Sequence, residues 1–407
     1  MARAPGKHAA IFLLVTVLID MIGLGMIMPV MPSLIGEVTG EGLSEAAAYG
    51  GWLMFTYAAM QFLFAPVLGN LSDAYGRRPV LLLSLTALAA DYVIMGFAPD
   101  LLWLFVGRVL AGMCGANYTI ANAYIADIST PEKRAANFGL IGAAFGVGFI
   151  IGPAIGGLLG EFGPRVPFFA AAGLGLLNVL YGLFVLPETL KEENRRPFVW
   201  LRANPLGALR QMRKYPLVLG LLGASVFFQL AHDVNPSTWS YYTMLKFGWS
   251  EADVGASLAF VGLCMALMMG LGTRLIIPRI GEARAAALGL TLTSLGFLGF
   301  AFASDGWMFL PFMVVLSFMG LVQPALRSIM AGHVPENAQG ELQGAISSVM
   351  GLTMTVAPLL STQIFHAFTQ ADAPVYFPGA AFVMASACTL MALGVVTVVL
   401  KRKEKPA

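Results

Sequence analysis

Few residues of this chain can do chemistry, and several sit where their neighbours are hostile to charge. Asp20 lies near the middle of an apolar run, Leu18-Ile19-Asp20-Met21-Ile22-Gly23. Asp91 interrupts a second run, Ala89-Ala90-Asp91-Tyr92, and Arg108 a third, Phe105-Val106-Gly107-Arg108-Val109. His232 and Asp233 stand side by side in a fourth. If these runs cross a bilayer, an ionised, unpaired carboxylate at the midplane costs several kcal/mol. An acid in that position is a proton or cation site, or a carboxyl kept neutral or paired with Arg108; both readings stay open for Asp20 and Asp91. Arg108 either bonds backbone carbonyls or faces the interior and takes part in proton transfer. His232 and Asp233 are either a buried ionisable pair or a solvated one near the outer end of their run.

The composition says what must position these groups. Of 407 residues, 58% are hydrophobic and only 11% charged, against about 25% charged in an ordinary soluble domain. So little charge cannot solvate a globular surface, which excludes a soluble enzyme, a disordered scaffold and a nucleic-acid binder. A net charge of +2 gives no field for a polyanion. A mean hydropathy of +0.77 and 46 glycines fit a helical protein that crosses the membrane many times. A span takes about 20 apolar residues, so twelve spans with short connections use up the chain. An intramembrane hydrolase would need a set such as His-Glu-x-x-His or Gly-x-Ser-x-Gly, and neither occurs; no enzyme is expected. Cys114, Cys264 and Cys388 lie in apolar stretches with no disulfide framework or metal-ligand spacing. No metal or cofactor is expected. The N-terminal apolar run is too long for a signal-peptide core and no Ala-x-Ala-like site closes it, so it reads as the first span.

The spans fall at roughly 9–32, 47–69, 79–98, 101–122, 137–160, 167–186, 216–240, 253–273, 284–303, 307–330, 343–367 and 377–400. The longest polar stretch, 187–215, divides two six-span halves, 1–186 and 216–407. Its apolar residues Phe198, Trp200, Leu201, Leu206 and Leu209 predict a short amphipathic helix along the interface. With the N-terminus in the cytoplasm, 21 of the 24 Lys and Arg residues fall on that side, which places both termini inside. An offset of 205 lays Gly76 on Gly281, each after the second span of its half, and Pro153 on Pro358, each breaking the fifth. That pattern predicts a parallel duplication.

Two motifs stand out. The loop after span two reads Gly69-Asn70-Leu71-Ser72-Asp73-Ala74-Tyr75-Gly76-Arg77-Arg78-Pro79. Gly69 permits close helix approach, Gly76 a tight turn, Pro79 opens a helix, and Asp73 can pair with Arg77. In span five, Gly148, Gly152 and Gly156 recur every fourth residue, followed by Gly157, so one helix face is bare backbone suited to a close crossing. Pro153 removes one hydrogen bond there and bends the helix.

The loop pattern Gly-x-Leu-Ser-Asp-x-x-Gly-Arg-Arg-Pro resembles the signature of the major facilitator superfamily, and the resemblance extends over all twelve spans. It implies an all-α membrane protein, with twelve transmembrane helices in two pseudo-symmetric six-helix bundles. It also implies alternating access with substrate bound between the halves. By the same resemblance Gly69, Asp73, Gly76, Arg77 and Arg78 form a gate latch with Asp127 as a third charged partner, and Arg108 serves proton transfer. Gly148-x-x-x-Gly152-Pro153-x-x-Gly156-Gly157 resembles the superfamily motif associated with exporters.

Span one, the latch continuing into Leu81-Leu82-Leu83-Ser84-Leu85, and Asp91 together resemble the Tet-type drug:proton antiporters. So do Lys246-Phe247-Gly248-Trp249, Gln323-Pro324-Ala325-Leu326 and Gly340-Glu341-Leu342-Gln343-Gly344. Where those exporters carry a histidine in span eight and an aspartate in span nine, this chain has Met265 and Thr293, and it puts His232-Asp233 in span seven instead. The expected proton-coupling set is Asp20, Asp91, Arg108, His232 and Asp233. The expected wall of the substrate site includes Gln61, Asn117, Tyr118, Gln229, Asn235, Trp239, Tyr241 and Gln323. The function implied is proton-coupled efflux of amphipathic, tetracycline-like drugs by a monomer in the bacterial cytoplasmic membrane. Its partners are a small-molecule substrate, protons and lipid, with no nucleic acid. A metabolite exporter of the same fold and a non-transporting membrane receptor or assembly factor are the alternatives.

Overall fold

The structure, a computed structural model, describes residues 9–115, 117–129, 131–198, 212–335 and 338–404, without the side chains at 9, 118, 131–136 and 402–404. No strand occurs among the described residues. Among the described residues, twelve helices are long and apolar enough to cross a membrane: Ala10–Ile27, Leu43–Tyr75, Arg77–Phe97, Leu101–Ile128, Asn137–Gly160, Val166–Val185, Pro216–Phe247, Glu251–Leu275, Glu282–Phe302, Gly306–Ala331, Gln339–Ala367 and Ala380–Lys401. They are called spans one to twelve.

The boundaries depart from the sequence reading where proline and glycine intervene. Span one stops at Ile27 rather than 32, because Pro29 cannot donate to the carbonyl of Gly25. A separate helix, Met31–Thr39, then starts with Pro32 in its first turn and ends at Gly40 in the left-handed conformation. The stretch Gly69–Tyr75, read as loop, is the last part of a 33-residue helix. Only Gly76 (φ 110°) separates it from span three. Gly281 (φ 82°) makes the same turn between spans eight and nine, so the pair at the 205-residue offset shares one backbone geometry. Pro153 and Pro358 sit inside helices that run on through them rather than breaking them; adjacent turns keep enough bonds in an apolar setting. The amphipathic helix expected around Trp200, Leu201, Leu206 and Leu209 falls outside the described residues.

Contacts divide the chain into two compact units. The first holds Met1–Glu41, Thr56–Asn204 and Ser250–Ala259; the second holds Gly42–Phe55, Pro205–Trp249 and Phe260–Ala407. The division departs from a clean split at the linker by exchanging the starts of spans two and eight. In the second unit, Gly50 and Gly51 lie directly against Tyr241 and Thr362. In the first, Gly157 lies against Gly255, and Ser33 hydrogen-bonds Glu251.

Each unit has a core where bulky side chains interlock. In the first, Leu13, Val17, Leu81, Leu85, Ile120 and Tyr124 cluster. In the second, Trp239, Tyr242, Phe300, Phe309 and Phe382 pack edge-to-face and stacked, with centroids 4.3 to 5.7 Å apart.

Candidate functional site

The glycine face of span five sets the position of span one. A Cβ at Gly148 would lie 2.6 Å from the Cβ of Met21, and one at Gly152 would lie 2.8 Å from the Cα of Gly25. A Cβ at Gly156 would run into the backbone of Met26. The two helices therefore touch backbone to backbone over two turns, the contact expected of small residues in a membrane. That contact fixes Asp20, one turn below Gly25. Asp20 is 8% exposed, and both its oxygens accept from Nδ2 of Asn117 at 3.1 Å. Asn117 is delivered by a break in span four, where Leu101–Cys114 gives way at Gly115 to Asn117–Ile128. Gln61 holds that break by donating to the carbonyl of Gly115 at 2.5 Å. Asn117 thus meets a candidate acid, whereas Gln61 serves the backbone.

Asp91 on span three is fully buried and pairs with Arg108 on span four, itself 6% exposed. The dipeptide Gly107-Arg108 explains the approach: a Cβ at residue 107 would stand 2.5 Å from Oδ1 of Asp91. Two atoms of the pair, Oδ1 of Asp91 and Nε of Arg108, are buried without a hydrogen-bond partner among the described residues. The guanidinium lies 5.6 Å from the ring centroid of Tyr57. A recess of about 220 Å³ in the same unit is lined by Asp20, Gly23, Leu85, Ala89, Tyr92 and Gly175, among others.

Beyond Gly76 the latch residues converge. Arg77 pairs with Asp73 at 2.5 Å and Asp127 at 3.0 Å and donates to Ser72 Oγ at 2.8 Å. Sequence reasoning missed the residue that completes this cluster. Glu188, the first acid after span six, accepts from the backbone N–H groups of Arg77 (2.9 Å) and Arg78 (3.1 Å), capping span three. It also accepts from Thr189 and Leu190 at 2.9 Å. Its place in Pro187-Glu188-Thr189, where the chain leaves the membrane, was the available signal. Gly76 is needed twice over, for its positive φ and because a Cβ would strike the Glu188 carboxylate. Arg78 donates to the carbonyl of Leu183. Gly69 departs from expectation: a Cβ there would meet nothing within 4 Å, so among the described residues no helix approaches it closely.

In the second unit, span seven is interrupted at Asp233, between Pro216–His232 and Val234–Phe247. Pro236 lacks the N–H that would bond the carbonyl of His232. Asp233 is 5% exposed. Its Oδ1 accepts from Gln229 Nε2 at 2.9 Å and lies 3.0 Å from His232 Nδ1. Gln229 Oε1 accepts from Gln323 Nε2 at 3.0 Å. Four expected residues thus form one network. Asn235 is buried nearby, its Oδ1 without a hydrogen-bond partner among the described residues. Trp239 (1% exposed) and Tyr241 (5%) are packed away, Trp239 within the aromatic cluster. The side chain of Tyr118 lies outside the described residues. Thr293 is buried and bonds the carbonyl of Gly289 at 2.7 Å in its own helix. Cys114, Cys264 and Cys388 are free thiols, and no cluster that could hold a metal occurs among the described residues.

Comparison with known proteins identifies the family. The sequence matches the Major Facilitator Superfamily over residues 13–358 and 234–407. It is 41% identical to the class C tetracycline resistance protein of Escherichia coli, covering 89% of this chain and 90% of that protein. It is 40% identical to the class G protein of Vibrio anguillarum, covering 89% and 91%. Among solved structures, a bacterial homologue of the human lysosomal transporter Spinster superposes with a TM-score of 0.78 at 16% identity, covering 98% of this chain and 99% of that one. The human organic anion transporter MFSD10 superposes with a TM-score of 0.72 at 23% identity, covering 97% and 100%. The chain belongs to the Major Facilitator Superfamily, as a multi-pass membrane transporter of small molecules, of the same type as the tetracycline resistance proteins.

Proposed function

We propose that this protein expels tetracycline-like amphipathic drugs across the bacterial cytoplasmic membrane in exchange for protons. The observation that carries the reading is the fully buried Asp91 carboxylate, paired with Arg108, in a chain 41% identical to a tetracycline resistance protein. A proton on Asp91 removes the charge that Arg108 balances, so the two helices holding them no longer attract. Asp20, held by Asn117, is the second acid. Neutralising it weakens any cationic group of a substrate bound there, so proton loading and drug release run together. Asp73, Arg77 and Asp127, capped by Glu188, act as the latch that one state holds and the other releases. Both termini are cytoplasmic, and one chain, with bundles 1–186 and 216–407 joined by 187–215, is the working unit. Moving a charge through 100 mV supplies about 2.3 kcal/mol, and one pH unit about 1.4 kcal/mol. One proton thus sustains roughly a several-hundred-fold drug gradient.

Energised everted vesicles test this. Tetracycline should collapse the pH gradient with the wild type and not with Asp20→Asn or Asp91→Asn. No collapse by tetracycline in wild-type vesicles overturns the reading.

A further inference from the structure

We propose that the break in span seven is a second proton-carrying site, in which Asp233 holds the proton, His232 delivers it, and Gln229 and Gln323 report its presence. The inference rests on the proton-exchange reading and adds a site in the second unit. Thr293, buried in the same unit, is bonded to its own helix and has no ionisable group.

The roles follow from donor and acceptor chemistry. A carboxylate can only accept, so the ring nitrogen 3.0 Å from Asp233 Oδ1, Nδ1 of His232, carries the hydrogen of a neutral ring. The other ring nitrogen, Nε2, is then an acceptor. The His232 side chain is 37% exposed and that of Asp233 only 7%. A proton arriving at Nε2 lets the Nδ1 hydrogen pass to Oδ1. One proton enters, one moves on, the ring tautomer reverses and no electrons change hands. Oδ2 of Asp233, buried without a hydrogen-bond partner among the described residues, is a second oxygen on which the acid can keep the proton.

The amides give the site an output. With Asp233 ionised, Gln323 donates to Gln229, and Gln229 donates to Asp233. With Asp233 protonated, the carboxyl becomes a donor and the favoured direction reverses: Asp233 donates to Gln229 Oε1, and Gln229 Nε2 donates to Gln323 Oε1. Gln229 and Gln323 line a recess of about 300 Å³ together with Ser225, Arg327 and Met350. Protonation therefore exchanges an acceptor for a donor at that recess, which is a two-state element that proton and substrate can both bias. Arg327 is the charged group sharing the recess. Other charges on the elements packed against span seven lie at its ends or theirs: Arg213 and Lys214 precede it, Lys246 closes it, Glu341 opens span eleven and His366 ends it, and Lys401 ends span twelve. His366 is engaged with Ser44 at 3.0 Å.

The test is an infrared pH titration of the purified full-length protein, read at the carbonyl stretch of protonated carboxyls. Asp233→Asn should remove one titrating band that Asp20→Asn leaves in place, and His232→Gln should keep the band while slowing its response to a pH jump. Tetracycline should change the proton affinity reported by that band about fivefold or more, and Gln229→Leu should abolish the change while keeping the band. An Asp233→Asn titration superimposable on the wild type overturns the proton site, and a Gln229→Leu protein that keeps the drug-linked change overturns the wire. These bands are read without transport. A wild type that titrates at Asp233 but moves no protons with drug in proteoliposomes counts against the exchange reading instead.

Discussion

The two acid–base pairs assigned to proton handling are built differently. In the first unit, Asp91 and Arg108 come from two neighbouring spans and are both sealed from solvent. In the second, His232 and Asp233 are consecutive residues at a break in one span, and the histidine is partly exposed. A permanently charged arginine can hold a buried carboxylate but cannot hand it a proton. A histidine can do both. The first pair is thus suited to storing a charge state and coupling it to helix contacts, and the second to exchanging protons with its surroundings.

That contrast is tested most severely by deleting each basic partner. Arg108→Ala leaves a fully buried carboxylate uncompensated, and breaking a buried pair in this way costs about 3–5 kcal/mol. The expected result is a large drop in thermal stability of the purified protein and no transport. The double change Asp91→Asn with Arg108→Gln removes both charges and should recover most of the lost stability but none of the proton coupling. If Arg108→Ala melts like the wild type, the pair is solvated and the contrast collapses.

The same deletion in span seven should be milder. His232→Ala leaves Asp233 its bond from Gln229, so the loss is that of one hydrogen bond to a charged group, about 1.5–3 kcal/mol. Transport should slow, and the slowing should be relieved by small diffusible bases such as imidazole if delivery is what was lost. A slow variant indifferent to imidazole would mean that His232 only shapes the site.

Much of this was legible in the residues. Twelve spans follow from apolar run length, and Asp20, Asp91 and Arg108 are conspicuous because charge is rare in such runs. The pairing of Gly76 with Gly281 reappears as one turn made twice. What was not legible depends on approach in three dimensions. Glu188 looks like any linker acid until the chain folds it onto the start of span three. Gln61 and Asn117 look alike as polar residues inside spans, yet one props a broken backbone and the other touches Asp20. Trp239 reads as a wall residue by type, but aromatic packing with Phe300 and Phe309 buries it. Hydropathy also cannot show that Pro29 ends span one early while Pro153 leaves span five unbroken, because that depends on what each freed carbonyl finds nearby.

The smallest effect is expected at Pro236, and it separates the two pairs by cause. Pro236 is in the first turn of Val234–Phe247, where a missing N–H costs little. Replacing it with alanine supplies a donor for the carbonyl of His232 and lets the helix run through Asp233. Stability should change by less than about 1 kcal/mol, since a good helix former and one gained bond offset the looser unfolded chain. Asp233 already keeps right-handed helical dihedrals (φ −75°, ψ −9°), so straightening the turn leaves His232 and Asp233 within reach of each other. Pro236→Ala should therefore melt like the wild type and exchange protons at Asp233 at the wild-type rate, leaving the Asp91–Arg108 pair untouched. A Pro236→Ala protein that exchanges as slowly as His232→Gln would mean that the break itself holds the His232–Asp233 pair together.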